Sequence, residues 1–593
     1  MNQQTWDLSA LYAAPDDPAW AADLERAASA AATFRKQFRG RVGTASAEQL
    51  TAALADYEAI QLTMLRPYAY AQLLFAADSS HPRHGAMLAR TRELFGAVAE
   101  QTLFFELEVL HLDAERYAEL LRNPRVRSYA HYLDRLRVLA PYTLSEEVEQ
   151  ALRRKDLSGR EGFVQLFDEL TAGLRFTFQR PDEASPREVT GEHLLALLYH
   201  PRGEIREAAF ATFLEGHAEQ RVVLTACFNN LLLDHGREAD LRGYPDLMTA
   251  THVSNEIEPA VAERLMEVTE ANYGLAREYF ALKGELLGLR RMKNTDLYAP
   301  LSRESRHIPF AEARELVLEA FAEFSPALAE PARRFFAEER IDSLPRAGKG
   351  GGAFCMGVAP GLSPYLLLNY TGNPRDVATL AHELGHGVHY ELAGQQNLFH
   401  YQAPLPFAET ASVFGEMLLT RHLLARETDR DTRISLLCAK LEDIIATTFR
   451  QNVLTRFELA AHRRRGEGLL GAEDYGDLWW EENARLFGDS LEMIPPYRWG
   501  WSYISHFIHA RFYCYSYVFG ELLVLALFRR YREEGAPFVP RYLDLLRAGG
   551  SAPPAELLRP FGIDLADPGF WQQGYDLVAE LLAELKLLVA TER

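Results

Sequence analysis

His382-Glu383-Leu384-Gly385-His386 spaces two imidazoles by four residues and sets a carboxylate beside the first. On a helix that spacing stacks both rings on one face, one turn apart, where they can grip a single Zn²⁺ ion. Glu383 then stands next to the water that such an ion polarises, placed to remove its proton. The chemistry implied is metal-assisted hydrolysis.

A ligand pair needs a rigid mount, and the surrounding residues supply the signals of one. Asn373 is a good N-cap, Pro374 suits the first helical position, Asp376 falls in the first turn and Gly394 is a stop after Ala393. Val377, Leu380, Ala381, Leu384 and Val388 form an apolar stripe at helical spacing. The helix is therefore expected to bury one side and present its histidines on another.

Catalytic zinc usually takes three protein ligands and keeps one position open. His389 lies on nearly the same face, but seven residues from His382 is roughly 10 Å along a helix axis, too far for one coordination sphere. It is read as orienting a ligand or facing substrate. A metzincin pattern would put Gly at 389 and a third His at 392, where this chain has His389 and Leu392. That leaves a carboxylate on a following helix, expected over 406–420, where Glu409 and Glu416 sit seven apart on one face. Glu409 is taken as the third ligand. Glu416 is the second candidate, with the alternative role of orienting His382 or His386 through the ring N–H turned away from the metal.

These residues carry a family resemblance. Leu366-Leu367-Leu368-Asn369-Tyr370, the motif through His389, and Phe407-Ala408-Glu409-Thr410-Ala411-Ser412 resemble oligoendopeptidase F, a branch of the thimet oligopeptidase-like zinc metallopeptidases. The resemblance implies one Zn²⁺ ion held by His382, His386 and Glu409. It extends over about residues 120 to 580: Arg346 to Phe354, with Gly350, Gly351 and Gly352, looks like the family's glycine-rich loop beside the substrate, and Asn294 to Pro300 looks like its D-x-Y-x-P turn. Ser505-His506-Phe507 and Phe512 to Tyr517 resemble its His and Tyr cluster. By that comparison His506 and Tyr517 donate hydrogen bonds to the oxyanion of the scissile carbonyl, with Tyr513 and Tyr515 as further candidates. The implied fold is mainly α, a large helical body enclosing a deep substrate channel, with a small β-sheet near the zinc helix and a zincin-like catalytic core.

The same segments have readings of their own. The 348–352 glycines lack the G-x-x-x-x-G-K-[ST] order of a phosphate loop and suggest backbone that moves or closely approaches a ligand. Pro364 to Tyr370 reads as a short strand, either an edge that pairs with an extended peptide or a buried structural strand. Aromatic density between Trp499 and Phe519 fits core as well as site.

The rest of the chain reads as helical. Helices are expected over 17–40, 46–76, 85–120, 126–138, 203–238, 258–288 and 310–338, with a strand at Arg175 to Gln179 before the loop-like Pro181 to Pro186. A boundary near 190 separates an N-terminal helical region, 1–190, of which 115–190 is the clearer part by resemblance, from a catalytic region, 191–593. A net charge of −20 without a basic patch argues against nucleic acid as a partner. Met1 to Leu8 lacks the basic and apolar regions of a secretory signal, no apolar run reaches membrane-spanning length, and four scattered cysteines suit a reducing compartment. The expected protein is a cytoplasmic zinc endopeptidase that cuts short unfolded peptides. The alternatives are a zinc carboxypeptidase on a similar scaffold and a non-catalytic helical binding protein.

Overall fold

The computed structural model describes residues 5–301 and 306–590; the first four residues of the N-terminal segment read above lie outside it. Helices dominate, and the β-structure comprises a two-stranded and a three-stranded sheet. No helix among the described residues is long and apolar enough to cross a membrane. The chain divides into two compact units. The first is Met1–Ala140, Ser305–Arg426 and Leu527–Asp564; the second is Pro141–Glu304, Glu427–Ala526 and Leu565–Arg593. Each unit draws on three stretches of chain.

The first unit begins with three long helices, Pro18–Phe38, Ala47–Ala77 and Pro82–Leu110, packed on one another around Leu24, Phe34, Leu54, Met64 and Phe105. The second helix starts where Ser46 and Gln49 cap one another reciprocally: the Ser46 side chain accepts from the Gln49 N–H and the Gln49 side chain accepts from the Ser46 N–H. The expected single helix over 85–120 is broken after Leu110, and a new one, Ala114–Leu120, starts at the cap Asp113. The 310–338 segment divides likewise, into Phe310–Phe324 and Pro326–Ala337. The Ser325 side chain accepts from Ala327 N–H, and Pro326 removes the amide that would have continued the first helix.

Against these helices lies the three-stranded sheet. We call its strands β1 (Ile341–Asp342), β2 (Phe354–Met356) and β3 (Tyr365–Leu367) in chain order. Their spatial order is β1-β3-β2, with β3 parallel to β1 and antiparallel to β2. This decides between the two readings of Pro364 to Tyr370. β3 is central and fully buried, with both edges paired, and the strand at the margin beside the metal motif is β2.

The second unit contains the predicted strand, Phe176–Phe178, paired antiparallel with Arg187–Val189, and a set of helices. The expected 203–238 and 258–288 helices are each two helices, Gly203–Glu219 with Arg221–Arg242, and Pro259–Ala271 with Tyr273–Leu286. The junctions at Gln220 and Asn272 leave the apolar period almost intact, which is why spacing alone does not reveal them.

Candidate metal centre

The motif helix is Pro374–Ala393 and starts as read: the Asn373 side chain accepts from Asp376 N–H, and Asp376 Oδ2 accepts in return from Asn373 N–H. Its apolar stripe is buried. Anchored in this way between β2, β3 and the helices of the first unit, it presents His382 and His386 to a cavity of about 570 Å³.

Glu409 reaches the same point by a route that spacing did not anticipate. The expected helix over 406–420 is interrupted: a short turn of helix, Leu405–Ala408, ends at Glu409, and a new helix, Ser412–Arg426, follows. The interruption falls at a close backbone crossing. A Cβ on Gly385 would lie 2.5 Å from the Ala411 carbonyl oxygen and 2.6 Å from Ser412 Cα, so the two segments cross where only glycine fits. At the interruption Ser412 Oγ donates to Glu409 Oε2 at 2.6 Å, and the Tyr542 phenol donates to the Thr410 carbonyl at 2.7 Å. Gly385→Ala is accordingly expected to cost about 1–3 kcal/mol of stability by overpacking and to weaken metal binding by displacing Glu409. Thermal unfolding and metal titration of the variant check this; wild-type values in both would show that the crossing does not set the carboxylate.

The resulting triangle has edges of 3.1 Å (His382 Nε2 to His386 Nε2), 3.4 Å (His382 Nε2 to Glu409 Oε2) and 3.5 Å (His386 Nε2 to Glu409 Oε2). Three ligands of a tetrahedral ion with bonds of ~2.0–2.1 Å stand roughly 3.3–3.4 Å apart, so the donor set and its dimensions fit a metal ion. It is also the one His, Cys or carboxylate grouping of such dimensions among the described residues.

Both rings are held from behind. His382 Nδ1 meets Glu416 Oε1 at 2.6 Å, and the His386 ring is hydrogen-bonded to the Ala408 carbonyl, which turns both Nε2 lone pairs toward the triangle. Glu416 thus sits on the far side of the His382 ring. Burial opposes a charge on His382, but the Glu416 hydrogen bond and the charges of Glu416, Glu409 and Glu383 raise its pKa to about 9. His386 is lowered to about 4 by burial, against the pull of Glu409. Glu383 is only 6% exposed; burial, with the Glu409 and Glu416 charges, raises it to about 7, while His382 and the Cys355 N–H, which donates to its carboxylate, act the other way. Among the described residues no lysine or arginine lines the cavity, so the carboxylates leave a potential suited to a cation.

The other candidates fall in different places. His389 lines the same cavity but is 8% exposed, and burial, then the His386 charge, lowers it to about 4, which keeps it neutral. Gly350, Gly351 and Gly352 do not form a free loop. The Gly350 N–H donates to the Ala76 carbonyl, Asn369 Nδ2 donates to the Gly350 and Gly352 carbonyls, and Lys349 is buried against Asp342 at 2.7 Å. In the second unit His506 and Tyr517 face each other, Nε2 to phenol oxygen 3.3 Å, with Tyr513 packed against both rings. Tyr515 is fully buried and accepts from Asn255 Nδ2 at 2.8 Å, so it packs the interior and is not available to a substrate.

Sequence reasoning missed the Cys355 N–H of β2, which orients Glu383, and the wall residues Tyr390 and Tyr401. Tyr390 had a signal: it is four residues beyond His386 and so on the ligand face. Tyr401 and Cys355 had none, because the turn and the strand that bring them in are tertiary features.

A helix-borne H-E-x-x-H pair completed by a carboxylate from a neighbouring segment of a mainly helical fold defines a metallopeptidase. The pattern of peptidase family M3 matches residues 196–577, and that of oligopeptidase F matches residues 108–176. The chain belongs to peptidase family M3, in its oligoendopeptidase F branch, and is a metallo-oligopeptidase. It is 25% identical to oligopeptidase PepF of Bacillus subtilis, over 99% of this chain and 87% of that protein. It is 26% identical to the chromosomal oligoendopeptidase F of Lactococcus lactis subsp. cremoris, over 99% and 97%. A solved structure from Chlamydophila abortus superposes with a TM-score of 0.87 (24% identity; 99% of this chain, 98% of that one). Oligoendopeptidase-F of Enterococcus faecium gives 0.71 (23%; 95% and 97%), a likeness of fold.

Proposed function

We propose that the protein is a zinc-dependent endopeptidase that hydrolyses internal bonds of short unfolded peptides in the cytosol, with no nucleic acid or membrane partner. The observation that carries this is the triangle of His382, His386 and Glu409 with Glu383 buried beside it. The zinc ion, when bound, supplies a Lewis acid that polarises water and the scissile carbonyl. Glu383 takes the proton of the attacking water and passes it to the departing amine, a role suited to a carboxyl raised toward neutrality. Glu416 holds the His382 tautomer. His506 and Tyr517 are proposed as donors to the oxyanion, an assignment supported by their mutual contact and by the family resemblance.

Substrate engagement is proposed to use β2. Its margin beside the motif helix offers backbone groups to an extended peptide, and Phe354 and Cys355 line the cavity. We retain 1–190 and 191–593 as the proposed N-terminal and catalytic regions of the sequence. Peptides of graded length, digested with and without a chelator and mapped by mass, test the whole reading. Internal cuts abolished by chelation and restored by Zn²⁺ are expected. Stepwise loss of C-terminal residues, dependent on a free carboxyl end, would replace the endopeptidase reading by a carboxypeptidase one.

A further inference from the structure

The second unit contains a cavity of its own, about 70 Å³, and hydrogen-bond donors outnumber acceptors on its wall. Arg450 enters it from the first turn of the Phe449–Glu467 helix. Its guanidinium meets no carboxylate among the described residues. Its partners are two phenols, Tyr298 and Tyr503, whose oxygens accept from it. An arginine carries five N–H groups and each phenol one O–H, so once the phenol oxygens have accepted, their own protons need acceptors elsewhere. None is present among the described residues. Burial raises the pKa of Tyr503, against the charge of Arg450, so its proton stays in place at neutral pH.

Asn294 adds a further donor. It is 4% exposed, its Oδ1 is committed to the Ile494 N–H at 3.0 Å, which fixes the amide orientation, and its Nδ2 has no partner. Of the other polar groups of the wall, Tyr497 donates to Asn483, and Glu442 Oε1 accepts from both Lys283 and Tyr279, so the Glu442 charge is paired with Lys283. A guanidinium without a carboxylate partner, two phenols and a buried amide therefore share one space, beside the Lys283-paired Glu442. A single water needs roughly 10–15 Å³ of such space, so the cavity admits a group of a few atoms. Water would satisfy the donors without neutralising the charge of Arg450, which an anion would offset directly.

We propose that this cavity binds a small monovalent anion, of carboxylate or halide size, on Arg450, Asn294, Tyr298 and Tyr503. Three of the residues come from segments that the metal centre leaves unexplained, the D-x-Y-x-P turn (Asn294 and Tyr298) and the aromatic stretch before His506 (Tyr503). Two sources share the chemistry: the carboxylate of a bound peptide and a free ion. Burial, and next the charge of Arg450, lower the pKa of His506, so the pocket lies within electrostatic reach of a proposed oxyanion donor.

The test has two arms. In the first, thermal unfolding of the full chain is followed while chloride or formate replaces gluconate, which is too large for the cavity, at constant ionic strength. A saturable rise in Tm is expected for the wild type, and the anion should bind roughly tenfold or more weakly in Arg450→Gln, since a charged hydrogen bond is lost. Tyr503→Phe, which removes one donor and keeps the packing, should lose part of the effect and stands in if Arg450→Gln does not fold. The second arm rests on the peptidase reading: kcat/KM for a peptide with a free carboxyl end is compared with that for its amide. A preference for the acid that chloride suppresses and Tyr503→Phe reduces identifies the peptide carboxylate; equal rates with the Tm rise retained identify a free ion. No saturable Tm shift together with equal rates would overturn the proposal and leave a solvent-filled cavity. Because the first arm involves no cleavage, its result stands whether or not the endopeptidase reading holds.

Discussion

Glu383→Gln should leave the metal in place and lower peptide cleavage by ~10²–10⁴-fold, the range typical of removing a general base. The substitution changes one atom in a side chain that is 6% exposed, so the packing is preserved. Glutamine also keeps a carbonyl oxygen to accept the Cys355 N–H. None of the three triangle atoms belongs to residue 383, and the Glu416 and Ala408 contacts behind the rings are untouched. What disappears is a carboxylate able to accept the proton of water. Elemental analysis should return wild-type zinc while kcat falls and KM changes little. Unchanged cleavage would sink the proposed mechanism, and loss of metal would mean that Glu383 is itself needed to hold it.

Glu409→Ala is the complementary case: zinc retention should collapse, and activity with it. Removing the carboxylate leaves two imidazole nitrogens 3.1 Å apart and opens one edge of the site. Glu416→Ala should cost less, ~10–100-fold in affinity, because its carboxylate acts through the far nitrogen of the His382 ring. Competition with a chromogenic chelator gives both affinities. Glu409→Gln serves as the control for local collapse, since it can still accept from Ser412 Oγ while losing its charge. The reverse order of losses would exchange the roles of the two glutamates.

The metal centre was legible where its geometry is local. His382, Glu383 and His386 share one helix, so a spacing of four and the caps at Asn373 and Gly394 predict their mutual placement. Glu409 was also named from the sequence, but by the wrong local geometry, since the helix expected to carry it is interrupted. The interruption lies where this segment crosses Gly385 of the motif helix, and a period count within 406–420 cannot detect a contact with residue 385. The same limit applies to β3. Its apolar run announces a strand, while whether it is an edge depends on β1 and β2, whose residues lie up to 26 positions away.

Residue types and short spacings thus determined the helical class of this chain, the identity of the hydrolytic motif and the rigid mounting of its two histidines, because helix geometry converts spacing directly into direction. Tertiary structure decided the rest. The backbone crossing at Gly385 brings Glu409 to close the triangle, sheet order leaves β2 beside Glu383, and packing in the second unit gathers Arg450, Asn294, Tyr298 and Tyr503 around one cavity. Each of these depends on which distant segments meet, and that is set by the burial of apolar surface summed over the whole unit, a quantity to which no single stretch of sequence corresponds.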